Sequence, residues 1–273
     1  RFPERYRDVA IAEQHAVTYG AVWPAGLEAC RCHLFDVPAA RARPGHFDDV
    51  ALQNLPVMFA VDRGGIVGAD GATHQGAFDI AELRGIPNMT VMTPSDENEC
   101  RLMLNTAFAM DTPAAVRYPR GKGPGVEVSA NFETIPVGVS RTLRAGHGVA
   151  FLGFGAMTNV LKPVAEALDA TLIDMRFAKP LDRAVILRAA ASHSLVVTAE
   201  EGALAGGAGE GVSSVIEEAG LVVSVMHFGL PDAFVEQGSH DEVMRELNLT
   251  SEAIEAAVRR RLAERTIEHG AFV

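Results

Sequence analysis

Cysteine is scarce in this 273-residue chain, with only Cys30, Cys32 and Cys100. Three thiols cannot build a disulfide framework, and they fit a reducing compartment. Cations are outnumbered, 24 Lys and Arg against 35 Asp and Glu, for a formal charge of -11. That argues against binding a phosphate backbone, which rests on excess positive charge, so nucleic acid is not an expected partner. No apolar run approaches the roughly 20 residues that a membrane helix needs. Nothing at the start resembles a signal peptide, so no membrane partner is expected and the setting reads as cytoplasmic. An initiating Met is missing too: the chain opens on Arg1, and Asp8-Val9-Ala10-Ile11-Ala12 already reads as a strand, as in the back part of something longer. What is plentiful is apolar: 48% apolar against 22% charged residues describes a globular protein with a sizeable core and excludes a disordered tail. The length suits one large or two average domains.

The run Pro56-Val57-Met58-Phe59-Ala60-Val61 has no alternation, the habit of a strand covered on both faces in a parallel sheet. A polar, Gly-rich loop follows to about Ala77, and loops of this length are usually functional. Met89–Met92 reads as a second strand. Pro94-Ser95-Asp96-Glu97 then supplies a helix start, whose Cys100, Met103, Leu104 and Ala107 mark a buried face. Ala114–Tyr118 returns as a strand. Gly121 to Gly148, rich in Gly, Pro and polar groups, suits a domain linker. Beyond it, strands at Val149–Phe154, Thr171–Met175, Leu195–Thr198 and Leu221–Met226 alternate with helices beginning near Thr158, Asp182, Gly207 and His240. That alternation predicts a parallel, helix-covered sheet. A last helix, about Ser251 to Arg265, carries Arg259-Arg260-Arg261 on a solvated face.

Four features rise above fold maintenance. Glu13-Gln14-His15 opens a helix just after a strand, where a carboxylate can be held near a ligand; a helix-start acid favoured by the dipole is the plain alternative. Arg63, Asp70 and His74 lie in the loop after the 56–61 strand, at the carboxyl end where open α/β sheets bind ligands. Their alternative is an ordinary charged surface loop, although Gly64, Gly65, Gly68, Gly71 and Gly76 imply close backbone approach. Arg117-Tyr118-Pro119-Arg120-Gly121-Lys122 puts three cations at a strand end, suited to a phosphate or simply solvated. Glu200-Glu201-Gly202 with Gly206-Gly207-Ala208-Gly209 reads as a tightly packed strand-to-helix turn, a weak nucleotide signal without G-x-G-x-x-G.

Ala10-Ile11-Ala12-Glu13-Gln14-His15-Ala16-Val17, Val67-Gly68-Ala69-Asp70-Gly71-Ala72-Thr73-His74-Gln75-Gly76, Thr93-Pro94-Ser95-Asp96-Glu97-Asn98-Glu99 and Val116-Arg117-Tyr118-Pro119-Arg120-Gly121 resemble the 1-deoxy-D-xylulose 5-phosphate synthase family. The resemblance resumes in Thr198-Ala199-Glu200-Glu201 and Gly229-Leu230-Pro231-Asp232. It implies an α/β fold of two parallel-sheet, helix-covered domains of the transketolase type. These would be a pyrimidine-binding domain over 1–121, a linker over 122–148 and a C-terminal domain over 149–273. It also implies a thiamine-diphosphate-dependent transferase that condenses pyruvate with glyceraldehyde 3-phosphate, with loss of CO₂, and works as a homodimer. The half that carries the family's diphosphate and Mg²⁺ site is absent, and no metal ligand is expected here.

Thiamine diphosphate acts once its C2 loses a proton, and a carboxylate bonded to N1′ of the aminopyrimidine favours the tautomer that takes it. Glu13 matches that carboxylate. Arg63 and Arg120 match the family's acceptor-phosphate and closure arginines, and Asp70 and His74 match the groups that bond the reacting oxygens and move protons.

Between Gly26 and Asp49 the resemblance vanishes, yet the spacing from Glu13 to Val50 is unchanged. Plausible codons for Glu28 to Arg41, read one base later, spell K-P-V-V-A-I-Y-S-T-F-L-Q-R, the family's own pattern. A compensated frameshift from near Tyr19 to near Asp48 is the expectation. It puts Phe35 and Pro38 where the family has an active-site Tyr and a stacking Phe, and makes Cys30-Arg31-Cys32-His33 accidental rather than a metal site. The alternatives are a β-type subunit of a thiamine-dependent 2-oxo-acid dehydrogenase or split transketolase, and a non-catalytic remnant.

Overall fold

The computed structural model describes Asp8, residues 15–19, the backbone of 32–34 and residues 50–270, the side chains of 265–270 excepted. Positions 9–12 of the expected strand, Glu13, and most of the 26–49 stretch, with Phe35 and Pro38, lie outside the described residues. Residues 15–19 are helical, as expected after Glu13.

Two five-stranded sheets form the architecture. The first has β2 (Val57–Val61) and β4 (Ala114–Arg117) at its centre, every residue of both buried. β1 (Cys32–Leu34) pairs parallel with β2, so even the altered stretch supplies backbone to the sheet. β3 (Thr90–Met92) pairs parallel with β4. In this sheet α1 (Asp79–Gly85) and α2 (Glu97–Ala109) make the crossovers. α2 starts where the sequence places it, because the Asp96 carboxylate caps it by accepting the Glu99 N–H at 2.8 Å.

The second sheet runs β10-β9-β6-β7-β5. β6 (Val149–Gly153), β7 (Thr171–Asp174), β9 (Leu195–Ala203) and β10 (Ser224–Leu230) are parallel. Around them lie α3 (Met157–Ala167), α4 (Arg183–Ser192) and α5 (Ala208–Glu218), then α6 (His240–Glu246) and α7 (Ser251–Gly270). The doubly covered, mostly parallel α/β fold class is therefore as read from the sequence.

Four details differ from the sequence reading. β5 (Arg141–Arg144) lies within the stretch read as linker and pairs antiparallel with β7. Its four residues, Arg141-Thr142-Leu143-Arg144, carry neither an apolar run nor an alternation of buried and exposed positions. β9 runs on to Ala203 rather than stopping at Thr198, since both its carboxylates find backbone donors inside the protein. β10 begins at Ser224, leaving Val222 fully exposed in the turn before it. β8 (Phe177–Lys179) was not anticipated at all; although it follows β7 in the chain, it joins the first sheet, antiparallel to β3.

The sheets share one apolar core in which Phe59 and Val61 of β2, Ile80 of α1, Leu152 of β6 and Val212 of α5 belong to a single cluster. A polar cluster lies beside it. Ser95 donates to Asp174 at 2.7 Å, while Arg141 reaches both Asp174 (3.2 Å) and Glu99 (3.1 Å), and Arg176 reaches Glu99 at 2.8 Å. Buried carboxylates need such partners.

Candidate active site

The loop after β2 leaves the sheet at its carboxyl end and is pinned at its neck. Gly64 N–H donates to Tyr118 O at 3.0 Å, and Gly65 and Gly76 exchange two backbone hydrogen bonds of 2.9 Å. Arg63, just before the neck, has φ +58°, the left-handed region that costs a side-chain-bearing residue about 1 kcal/mol or more. Its half-exposed guanidinium lies 3.6 Å from Asp62.

Inside the loop a short 3-10 turn, Gly68–Asp70, presents Asp70 to solvent. Arg120, arriving from the end of β4, donates to Asp70 Oδ2 at 2.8 Å and to Val67 O at 3.3 Å. His74 N–H donates to Gly71 O, and its Nδ1 lies 2.9 Å from Thr73 Oγ1. One loop therefore carries Arg63, Asp70 and His74, and Arg120 closes on it. Glu13 lies outside the described residues. The neighbouring His15 is exposed.

The second half of the chain forms the floor and flank of this loop. Gly68 has φ +71°, and a Cβ there would come 2.9 Å from Gly238 O, so the turn before α6 sits directly on the Asp70 turn. Glu201 of β9 is buried and accepts the Ile66 N–H at 3.2 Å. His240, at the start of α6, lies 3.6 Å from the Glu201 carboxylate, whose proximity raises the imidazole pKa against partial burial.

Arg117 does not join Arg120 as a surface cation for phosphate. It is 4% exposed and donates to Asp79 Oδ2 at 2.7 Å, to Glu201 O at 2.5 Å and to Gly76 O at 3.3 Å. Burial alone would lower its pKa, but the charges of Asp79, Glu201 and Glu200 override that and raise it. Burial raises the pKa of Asp79 even against Arg117. Glu200, beside it, accepts the Ala208 and Gly209 N–H groups at the start of α5 (3.0 and 2.7 Å), so the turn read as tight packing is that.

Asp79 and His240 were missed as site neighbours, and Arg117 and Glu201 were singled out in other roles, as a phosphate cation and as part of a packed turn. The available signal was Gly64: a Cβ there would overlap the Arg117 side chain, so the glycine marks something bulky beneath the loop. Gln75 is 5% exposed; its Oε1 accepts the Val67 N–H at 2.7 Å, while its buried Nε2 has no partner among the described residues. An open buried donor inside the loop fits a bound ligand with an acceptor atom. Among the described residues no group of three or more His, Cys, Asp or Glu could hold a metal ion, and no helix is long and apolar enough to cross a membrane.

Comparison with known proteins agrees with this layout. Residues 1–125 match the transketolase pyrimidine-binding domain and residues 138–254 the transketolase C-terminal domain. A 1-deoxy-D-xylulose-5-phosphate synthase of Cupriavidus taiwanensis is 53% identical over 267 residues, covering 96% of this chain and 42% of the relative. One from Thioalkalivibrio sulfidiphilus is 50% identical over 263 residues, covering 96% and 41%. The chain thus spans about two fifths of the length of the curated relatives it matches. Among solved structures, a split-gene transketolase, an inactive β4 tetramer, superposes with a TM-score of 0.81 and 28% identity over 96% of this chain and 85% of that one. With both domain types present in order, and half of its residues shared with these synthases, the chain belongs to the transketolase family as a pyrimidine-binding domain followed by a C-terminal domain.

Proposed function

We propose that this chain is the pyrimidine-binding and C-terminal part of a thiamine-diphosphate-dependent synthase that joins pyruvate to D-glyceraldehyde 3-phosphate, with loss of CO₂, to give 1-deoxy-D-xylulose 5-phosphate. The observation that carries it is the convergence of Arg120 on the Asp70 loop at the carboxyl end of the first sheet. Bound thiamine diphosphate supplies the electron sink for decarboxylation and carbon–carbon bond formation. Glu13 holds a proton at N1′ of its aminopyrimidine. Arg120 and Arg63 bind the acceptor phosphate, a dianion that two guanidinium groups on separate loops suit. Asp70 and His74 hydrogen-bond the reacting oxygens and move protons to and from them. The Mg²⁺ and diphosphate ligands belong to a preceding half, the whole works as a cytoplasmic homodimer, and the chain by itself is inactive.

A split transketolase subunit is the second reading, favoured by the split-gene neighbour, which is itself inactive as a β4 assembly. The deciding experiment joins the chain to the diphosphate-binding half of a relative and supplies two substrate pairs. Deoxyxylulose phosphate from pyruvate and glyceraldehyde 3-phosphate is the expected product. Ketol transfer between sugar phosphates without that product would replace the first reading by the second. Product from the unjoined chain would refute its inactivity.

A further inference from the structure

The Asp70 loop is held from below by groups that touch none of the proposed reacting atoms. Arg117 sits at the centre. Its guanidinium reaches the loop through Gly76 O, α1 through Asp79, and β9 through Glu201 O. The Glu201 side chain returns to the same loop at the Ile66 N–H, and a Cβ at Gly65 would overlap it. Arg117 is 4%, Asp79 3% and Glu201 4% exposed, so none of the three serves the surface. One end of the loop is thereby tied to the buried guanidinium and the other to the Glu201 carboxylate, and the guanidinium is itself tied to the second sheet through Glu201 O.

We infer that Arg117, with Asp79 and Glu201, is a positioning residue: it fixes the loop bearing Arg63, Asp70 and His74 against β9, so that the C-terminal domain sets the geometry of the site. The inference rests on the proposed role of that loop, but its structural content stands without it. A planar fork with five donors can bond three elements at once, whereas Lys offers a single nitrogen on a flexible stem. Arg117→Lys keeps the charge beside Asp79 and loses the simultaneous reach to Gly76 O and Glu201 O. The loop should then loosen locally while the sheets stay intact.

Two measurements test this. The first is amide hydrogen exchange of the chain itself, compared in wild type, Arg117→Lys, the charge-free pair Asp79→Asn with Arg117→Gln, and Gly64→Ala, which displaces the guanidinium without altering any charge. Exchange across 62–77 should rise about tenfold or more in each variant that folds, with the interior of β6 and β7 unchanged. A rise spread evenly over both sheets, or none in 62–77, would overturn the inference, since either is what a merely stabilising ion pair gives. The second uses the chain joined to a diphosphate-binding half and separates kcat from KM. Misplacing Asp70 and His74 together with the arginines should lower kcat and raise the acceptor KM at once, whereas losing Arg120 alone should act mainly on KM. Unchanged kinetics in Arg117→Lys, with wild type active, would overturn the inference and leave the synthase reading standing. If wild type makes no deoxyxylulose phosphate, the synthase reading fails and the exchange experiment alone decides the inference.

Discussion

Arg120 holds Asp70 at 2.8 Å although fifty residues separate them, so a cation assigned to the acceptor phosphate rests on a carboxylate assigned to the reacting oxygens. Both side chains are substantially exposed, at 45% and 31%, and an ion pair so placed adds little stability. Its partner can therefore be exchanged cheaply for a phosphate. Charge-assisted bonds contribute about 1.5 to 3 kcal/mol, so Arg120→Ala should weaken apparent affinity for glyceraldehyde 3-phosphate roughly ten- to a hundredfold. Phosphate-free glyceraldehyde never makes the contact and should be used almost unchanged. Equal losses with both acceptors in steady-state assays would remove the phosphate role.

Glu13 carries the cofactor assignment. In the chain joined to a diphosphate-binding half, Glu13→Gln should slow exchange of the cofactor's C2 proton, because an amide cannot hold the proton at N1′ that a carboxylate does. NMR of quenched samples reads the exchange directly. A wild-type rate in the variant would free Glu13 from this role.

His240 gives the fold a pH dependence of predictable sign. Glu201 raises its folded pKa above the ordinary value near 6.5. A cationic form favoured by folding stabilises fully below the unfolded pKa and loses that contribution as pH rises through the folded pKa. Wild type should thus outlast His240→Gln in thermal melts below about pH 6, and the two curves should converge on the alkaline side. The effect should be modest, since the imidazole is half-exposed. Parallel melting curves from pH 5 to 9 would show that the contact with Glu201 contributes nothing.

Phe177 of β8 is fully buried beside Met58, Met92 and Met103 of the first sheet and its helix. Phe177→Ala should cost about 3 to 5 kcal/mol, as for other large-to-small changes in cores. Urea unfolding would measure it. A loss below about 1 kcal/mol would mean that the first sheet closes without this strand.

Continuous apolar runs such as 57–61 and 149–153 were legible because a strand buried on both faces carries its pattern in itself. The helix starts at Asp96 and Asp182 were legible for a similar reason, since each is fixed by a local bond from a side chain to a backbone N–H three residues on. β8 was not, since three residues, Phe177-Ala178-Lys179, gain their meaning only from β3 far away in sequence. At the site, the long motifs pointed to the loop, and the Arg120–Asp70 contact fits that grouping. The partnership of Arg117 with Asp79 and Glu201 stayed hidden because nothing local separates a buried arginine from an exposed one three residues later.

β8 also means that the chain's two sheets are not two separable articles. A cut anywhere between 122 and 148 would leave β3 with an uncovered edge and strand 177–179 with nothing to pair against, and bare edges invite foreign strands. Exchanging either half for that of a distant relative would meet the same obstacle, since the graft would have to bring a strand cut to fit the other half's sheet. In evolution, then, the seam visible in composition is a poor place for recombination, and the two halves are expected to change in step along β3 and β8.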